Sequence, residues 1–172
     1  DEVDETITID LDLVTNGTEV GQQQQIVTLT DDDNPPKVTL SVSGVTMSET
    51  GGVTTITATL SLASAKDITV MLATTGTAID VTDYNVDSKT LSIPAGVLTG
   101  STTLSAVNDA IDELDETVII DITGETNVTE DGVQQKTVTI LDDETPPTVT
   151  LLVGSATIGE DVGTTTTNVT VQ

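Results

Sequence analysis

Along most of the chain, apolar residues alternate with polar ones, and the apolar set is mainly Val, Ile and Leu spaced by Thr. That period of two, in residues that favour pleated structure, predicts strands with one face buried. Between positions 37 and 147 the pattern gives seven of them. Val38, Leu40 and Val42 share one face of the first, Ile56, Ala58 and Leu60 of the second, and Ile68, Val70 and Leu72 of the third. Leu91 and Ile93 mark a short fourth strand stopped by Pro94, Ala95 and Gly96. A fifth spans about 101–107 with Leu104 inward; Val118, Ile120 and Ile122 mark the sixth, and Val138 and Ile140 the seventh.

Gly51, Gly52, Gly76, Gly96, Gly100, Gly124 and Gly132 read as turn signals between these stretches, and no segment has helical periodicity. Short strands with regular turns in one domain length predict an all-β fold, an immunoglobulin-like antiparallel β-sandwich of about seven strands. The Cys–Trp–Cys core of antibody domains is absent, because the chain has neither residue.

The pattern also repeats. Asp1-Glu2-Val3-Asp4-Glu5-Thr6 returns as Asp112-Glu113-Leu114-Asp115-Glu116-Thr117, an offset of 112 − 1 = 111 residues. Asn16 and Asn127, Gly21 and Gly132, Pro35 and Pro146, and Glu49 and Glu160 keep it, and about half of the overlapping positions are identical. A register held through loops as well as strands marks a tandem array. It predicts the C-terminal part of one repeat in 1–36, a complete repeat in 37–147 and the N-terminal part of the next in 148–172. Pro35-Pro36 and Pro146-Pro147 fall at the junctions, where fixed φ stiffens a short connection.

Composition narrows the chemistry. The 29 acidic residues face 4 lysines and no arginine, a formal charge of −25. That field repels nucleic acid and anionic lipid and attracts cations. No apolar run reaches membrane-spanning length, so direct membrane insertion by this segment is not expected. Without His, Cys or Arg there is no imidazole base, thiolate or guanidinium clamp, and the chain does not read as an enzyme. The core is thin in aromatics: Tyr84 is the only one, predicted as a core plug beside the acidic loops. Asn16, Asn127 and Asn168 each begin an Asn-X-Thr triplet, a spacing that arises by chance in a Thr-rich chain.

Carboxylates cluster at predicted strand ends. Glu49 follows the first strand and Asp83 precedes Tyr84. Asn108, Asp109, Asp112, Glu113, Asp115 and Glu116 lie between the fifth and sixth strands, and Asp142, Asp143 and Glu144 end the seventh. In an up-and-down sandwich these points meet at one pole. Two unit charges 4 Å apart repel by about 4 kcal/mol at an effective dielectric near 20. With so few lysines, a divalent ion is the best counter-charge, and calcium, a hard cation with about 6–8 oxygen ligands, suits carboxylates.

Several of these residues occur in a specific order. Ser48-Glu49 comes first, then Gly76-Thr77-Ala78 with Asp83-Tyr84, then Ile93-Pro94-Ala95-Gly96. Asn108-Asp109 with Glu113 and Glu116 follow, and Leu141-Asp142-Asp143-Glu144 closes the series. This order resembles the Calx-β domain, known from sodium–calcium exchangers and large surface proteins, across 37–147 and through the repeat at both ends. The resemblance implies Ca2+ held by Glu49, Asp83, Asn108, Asp109, Glu113, Glu116, Asp142, Asp143 and Glu144. Three positions depart from the family's pattern: Asn108 replaces an acid, Glu144 replaces a shorter Asp, and Val81 stands where Gly is common.

The expectation is a calcium-binding structural repeat of a long extracellular or cell-surface protein, an adhesin-type rod or spacer. Its partners are neighbouring repeats of the same chain, with cell-surface or matrix ligands engaged by other parts of the parent. The alternatives are a calcium-sensing regulatory module of a membrane transporter and a ligand-binding adhesion module.

Overall fold

The computed structural model of the chain describes residues 1–160 and 168–171. A first hairpin pairs β1 (Glu5–Asp10) with β2 (Gln24–Leu29). The central region then supplies β3 (Lys37–Val42), β4 (Thr46–Ser48), β5 (Val53–Leu60), β6 (Ile68–Gly76) and β7 (Tyr84–Val86). After these come β8 (Thr90–Ile93), β9 (Thr99–Ala106), β10 (Glu116–Thr126), β11 (Thr129–Glu130) and β12 (Gln135–Leu141). A final pair joins β13 (Leu151–Val153) to β14 (Val169–Val171).

β3 to β12 form two five-stranded sheets, in the orders β4-β12-β10-β6-β8 and β11-β3-β5-β9-β7. Their inward faces make one core that contains every residue of the predicted strand faces, with Val42 at its edge. Tyr84 is buried in it, as the core plug that the sequence predicts.

The expected seven strands are all present. Three short ones, β4, β7 and β11, add to them. β4 pairs in parallel with β12 and β11 with β3, so each sheet has one parallel edge pair in an otherwise antiparallel ladder. The connections differ from an up-and-down meander, because the chain passes from one sheet to the other at every connection from β3 to β12. Gly100 and Gly124 are not turn residues: they lie inside β9 and β10. At Gly124 a β-bulge follows Ile122, and a Cβ there would come within 2.5 Å of the Met71 methyl. Gly here marks a bulge and leaves room for the Met71 side chain.

The first hairpin repeats the β10–β12 pair with the 111-residue offset. Glu5 pairs with Leu29 and Asp10 with Gln24, where Glu116 pairs with Ile140 and Asp121 with Gln135. Asn16 and Asn127 have φ of 57° and 60°, and Gly21 and Gly132 have 70° and 71°. In both loops a glutamine N–H donates to a glutamate, Gln23 to Glu19 and Gln134 to Glu130, each at 2.5 Å. The same local sequence builds the same local structure twice.

Their burial differs. Ile9 is 55% exposed while its counterpart Ile120 is fully buried, and Ile7, Leu11, Val27 and Leu29 are likewise exposed where Val118, Ile122, Val138 and Ile140 are core. The last pair behaves similarly. Leu151 opposes Val171, two residues out of register with its counterpart pairing of Leu40 and Ala58. A slip of two keeps every side chain on its face, and only a packed core discriminates against it.

Candidate metal centre

Strand register delivers the acidic loops to one end of the sandwich. The parallel β4–β12 pair sets Ser48 against Leu141, and the Glu49 N–H donates to the Leu141 carbonyl at 3.0 Å. Glu49 therefore enters beside Asp142. β7 lies along β9 with Tyr84 opposite Ala106, and the Val107 N–H donates to the Asp83 carbonyl at 2.9 Å. Asp83 thus meets the start of the β9–β10 loop. Glu116 opens β10 next to the end of β6, where Thr77 and Ala78 N–H groups both donate to the Thr117 carbonyl.

Six of the nine expected residues gather into two trios. Glu49, Asp142 and Glu144 each offer a carboxylate oxygen within 4.8 Å of the others, and so do Asp83, Glu113 and Glu116. The trios adjoin, since Glu49, Asp83, Glu113, Glu116 and Asp142 line one pocket with Leu114 and Ile140.

The other three sit around them. The Asp109 N–H donates to Glu49 Oε1 at 2.8 Å, while Asp109 Oδ1 accepts from the Ile111 N–H at 2.7 Å. Asn108 and Asp143 both accept from the Thr50 hydroxyl, Asp143 through Oδ2 at 2.8 Å. Sequence reading passed over Thr50, whose single hydroxyl ties two loops together. It also placed Asp115 among the acidic loops but not among the ligands, and Asp115 Oδ1 accepts the Asp142 N–H at 3.2 Å. The Glu113 N–H donates to Asp142 Oδ1, also at 3.2 Å, joining the two trios through the backbone.

Burial first, and like charge after it, raise three of the site's carboxyls. Burial pushes the Glu116 carboxyl up to about 7, helped by a hydrogen bond to Asp83 and by the charges of Asp83, Glu113 and Glu49. Burial and neighbouring acids also raise Glu113 and Glu144. Glu144 Oε2 is buried without a hydrogen-bond partner. Such an orphaned acceptor is costly unless a cation or donor meets it.

These values give a sign for pH. A carboxyl raised in the folded state favours folding in its protonated form. The contribution is present below about pH 4.5 and is lost as pH rises through about 7. Calorimetry of the metal-free chain should therefore give a higher melting temperature at about pH 5.5 than at about pH 8. Glu116→Gln should flatten that dependence, and a slope of the opposite sign would contradict this electrostatic account.

Val81, in the loop carrying Asp83, has φ of 72°, the left-handed region that a β-branched residue rarely adopts. Its N–H donates to the Tyr84 carbonyl at 2.8 Å, and the Asp83 side chain caps the same loop by accepting the Ile79 N–H at 2.6 Å. Because Val81 is exposed, Gly loses no packing there. Val81→Gly should stabilise the domain by about 1 kcal/mol, read as a higher denaturation midpoint. An unchanged or lower midpoint would show that the loop bears no strain.

Residues 31–144 match the Calx-beta domain. The chain belongs to the Calx-beta domain family. This is a non-catalytic calcium-binding family whose members occur in exchangers and surface proteins. Among solved structures, the chain is similar to CBD12 from CALX1.2, with 25% identity and a TM-score of 0.55. The match covers 63% of this chain and 44% of that one. Calcium binding domain CBD12 of CALX1.1 gives 25% identity, a TM-score of 0.55 and coverage of 63% and 45%. The apo-form Calx CBD1 domain is covered over 99% of its length at 24% identity and a TM-score of 0.54, a likeness of fold. The chain spans less than half the length of the CBD12 structures. No curated protein matches it.

Proposed function

We propose that this Calx-beta domain binds calcium at the acidic end of its sandwich and serves as a structural repeat of a long extracellular or cell-surface protein. The observation that carries the reading is the pair of adjoining carboxylate trios, with the partnerless Glu144 Oε2 beside them. The donor set fits the ion. It is all oxygen, and ligands about 2.3–2.6 Å from a shared calcium lie no more than about 5 Å from one another, which a spread of 4.8 Å satisfies. Glu49, Asp142 and Glu144 would hold one ion, and Asp83, Glu113 and Glu116 a second. Asn108, Asp109 and Asp143 position these groups or complete the shells. The ion supplies counter-charge to loops that otherwise repel one another.

The rod reading rests on the 111-residue repetition and on the exposed core positions of residues 1–36, 148–160 and 168–171, which suit parts of neighbouring domains. In this reading 37–147 is the complete repeat, its partners are the repeats on either side, and any cell-surface or matrix ligand is held by other parts of the parent. Only three residues separate Asp142-Asp143-Glu144 from Thr148, so an ion there also fixes where the chain leaves the domain. Small-angle scattering on two or more complete repeats tests this. The maximum dimension should shrink and its distribution broaden on chelation, with β-structure retained. A length indifferent to calcium would restrict the ion to the interior of each domain and favour a sensor module over a rod.

A further inference from the structure

At the end of the sandwich opposite the acidic pockets, the β5–β6 loop converges three donors on one aspartate. The Ser64 hydroxyl donates to Asp1 Oδ2 at 2.8 Å, Lys66 Nζ donates to Asp1 Oδ1 at 2.7 Å, and the Ala65 N–H donates to the Asp1 carbonyl at 2.9 Å. Lys66 Nζ also lies 3.7 Å from Asp31 Oδ2. The Asp1 side chain is 3% exposed, and Ser64 is buried as well. The loop is preset by its own bonds: the Lys66 N–H donates to Ser64 Oγ, and the Gly96 N–H donates to the Ser64 carbonyl. Hydroxyl and ammonium thus hold the Asp1 carboxylate, one on each oxygen, while the amide holds its main-chain carbonyl, a charge-assisted arrangement with directional specificity.

Asp1 is the counterpart of Asp112 at the 111-residue offset, and its surroundings repeat too. The Glu2 N–H donates to Asp31 Oδ2 at 3.2 Å as the Glu113 N–H donates to Asp142 Oδ1. The Asp31 N–H donates to Asp4 Oδ1 as the Asp142 N–H donates to Asp115 Oδ1. Residues 1–4 and 31 therefore reproduce the acidic end of a repeat, here docked on the next one. In the central repeat Asp112 is exposed and belongs to neither trio.

We infer that Ser64, Ala65 and Lys66 form a receptor for the aspartate that opens the β9–β10 motif of the preceding repeat, and that Asp112 is the matching peg for the repeat that follows. The partner is thus another copy of this domain type, held by an ion-paired joint whose peg aspartate is not among the calcium ligands. The inference rests on the tandem reading, but its test does not depend on calcium.

The chain has no cysteine, so Thr18→Cys and Ser101→Cys place spin labels cleanly on the first hairpin and on β9. Pulsed dipolar spectroscopy should give one narrow distance peak. Lys66→Asp should abolish that peak, and the swap Asp1→Lys with Lys66→Asp should restore it. The calcium-induced rise in melting temperature should persist in Lys66→Asp, which separates failure of the joint from failure of the calcium reading. A broad distribution in the parent pair, an unchanged peak in Lys66→Asp, or no recovery in the swap would overturn the inference.

Discussion

Calcium added to the metal-free chain should raise the melting temperature of the central repeat by several degrees, and a chelator should reverse the rise. An ion that binds only the folded state adds RT ln(1 + [Ca]/Kd), about 2.7 kcal/mol at a hundred times Kd. That is a large share of the roughly 5–15 kcal/mol by which domains are usually stable. The effect should be marked here because the core is aliphatic except for Tyr84, and because the acidic end opposes folding until a cation arrives. Magnesium should substitute poorly, since it holds its waters and demands tight octahedral geometry. The measurement is a calorimetric scan with and without calcium, and coincident curves would remove the ion from the stability of the fold.

Glu49→Gln should abolish most of that response while making the metal-free domain more stable. Glu49 is the most buried acid of the site, and its Oε1 already accepts the Asp109 N–H. Gln keeps that acceptor and the side-chain volume. It removes one negative charge from beside Asp142 and Glu144, where like charges about 4 Å apart cost about 4 kcal/mol at an effective dielectric near 20. The expected loss is therefore most of the roughly 2.7 kcal/mol that calcium contributes. Asp121→Asn, in the middle of β10, should leave the calcium response intact. Equal effects of the two substitutions would mean that net charge, not a site, governs the response.

Period-two alternation revealed the long strands because each carries three or so inward residues, enough to establish a face. β4 carries one, Met47 between exposed Thr46 and Ser48, and a single apolar residue has no period. Yet β4 sets the site, since its parallel pairing with β12 brings Glu49 to Asp142. Gly124 misled because Gly marks both turns and bulges, and only its contact with Met71 distinguishes them. The acidic loops and their shared end were legible from their positions at strand ends. How they divide was not, because it depends on side-chain reach: Thr50 draws Asn108 and Asp143 aside, and Asp109 presents its backbone to Glu49. At Val81 the departure from Gly left the loop's path open, and the backbone keeps the left-handed turn with the β-branched residue in it.

Backbone amide NMR during a calcium titration tests the central claim most directly. The account predicts large, saturable shifts confined to the acidic end of the central repeat: Glu49 and Thr50, the loop around Asp83, Asn108 to Glu116, and Asp142 to Glu144. Ser64 to Asp67 and the middle of β10 should stay still, and Glu49→Gln should suppress the shifts in Asp142 to Glu144. Shifts spread thinly over exposed acids throughout the chain, without saturation, would contradict it and leave calcium as diffuse counter-charge.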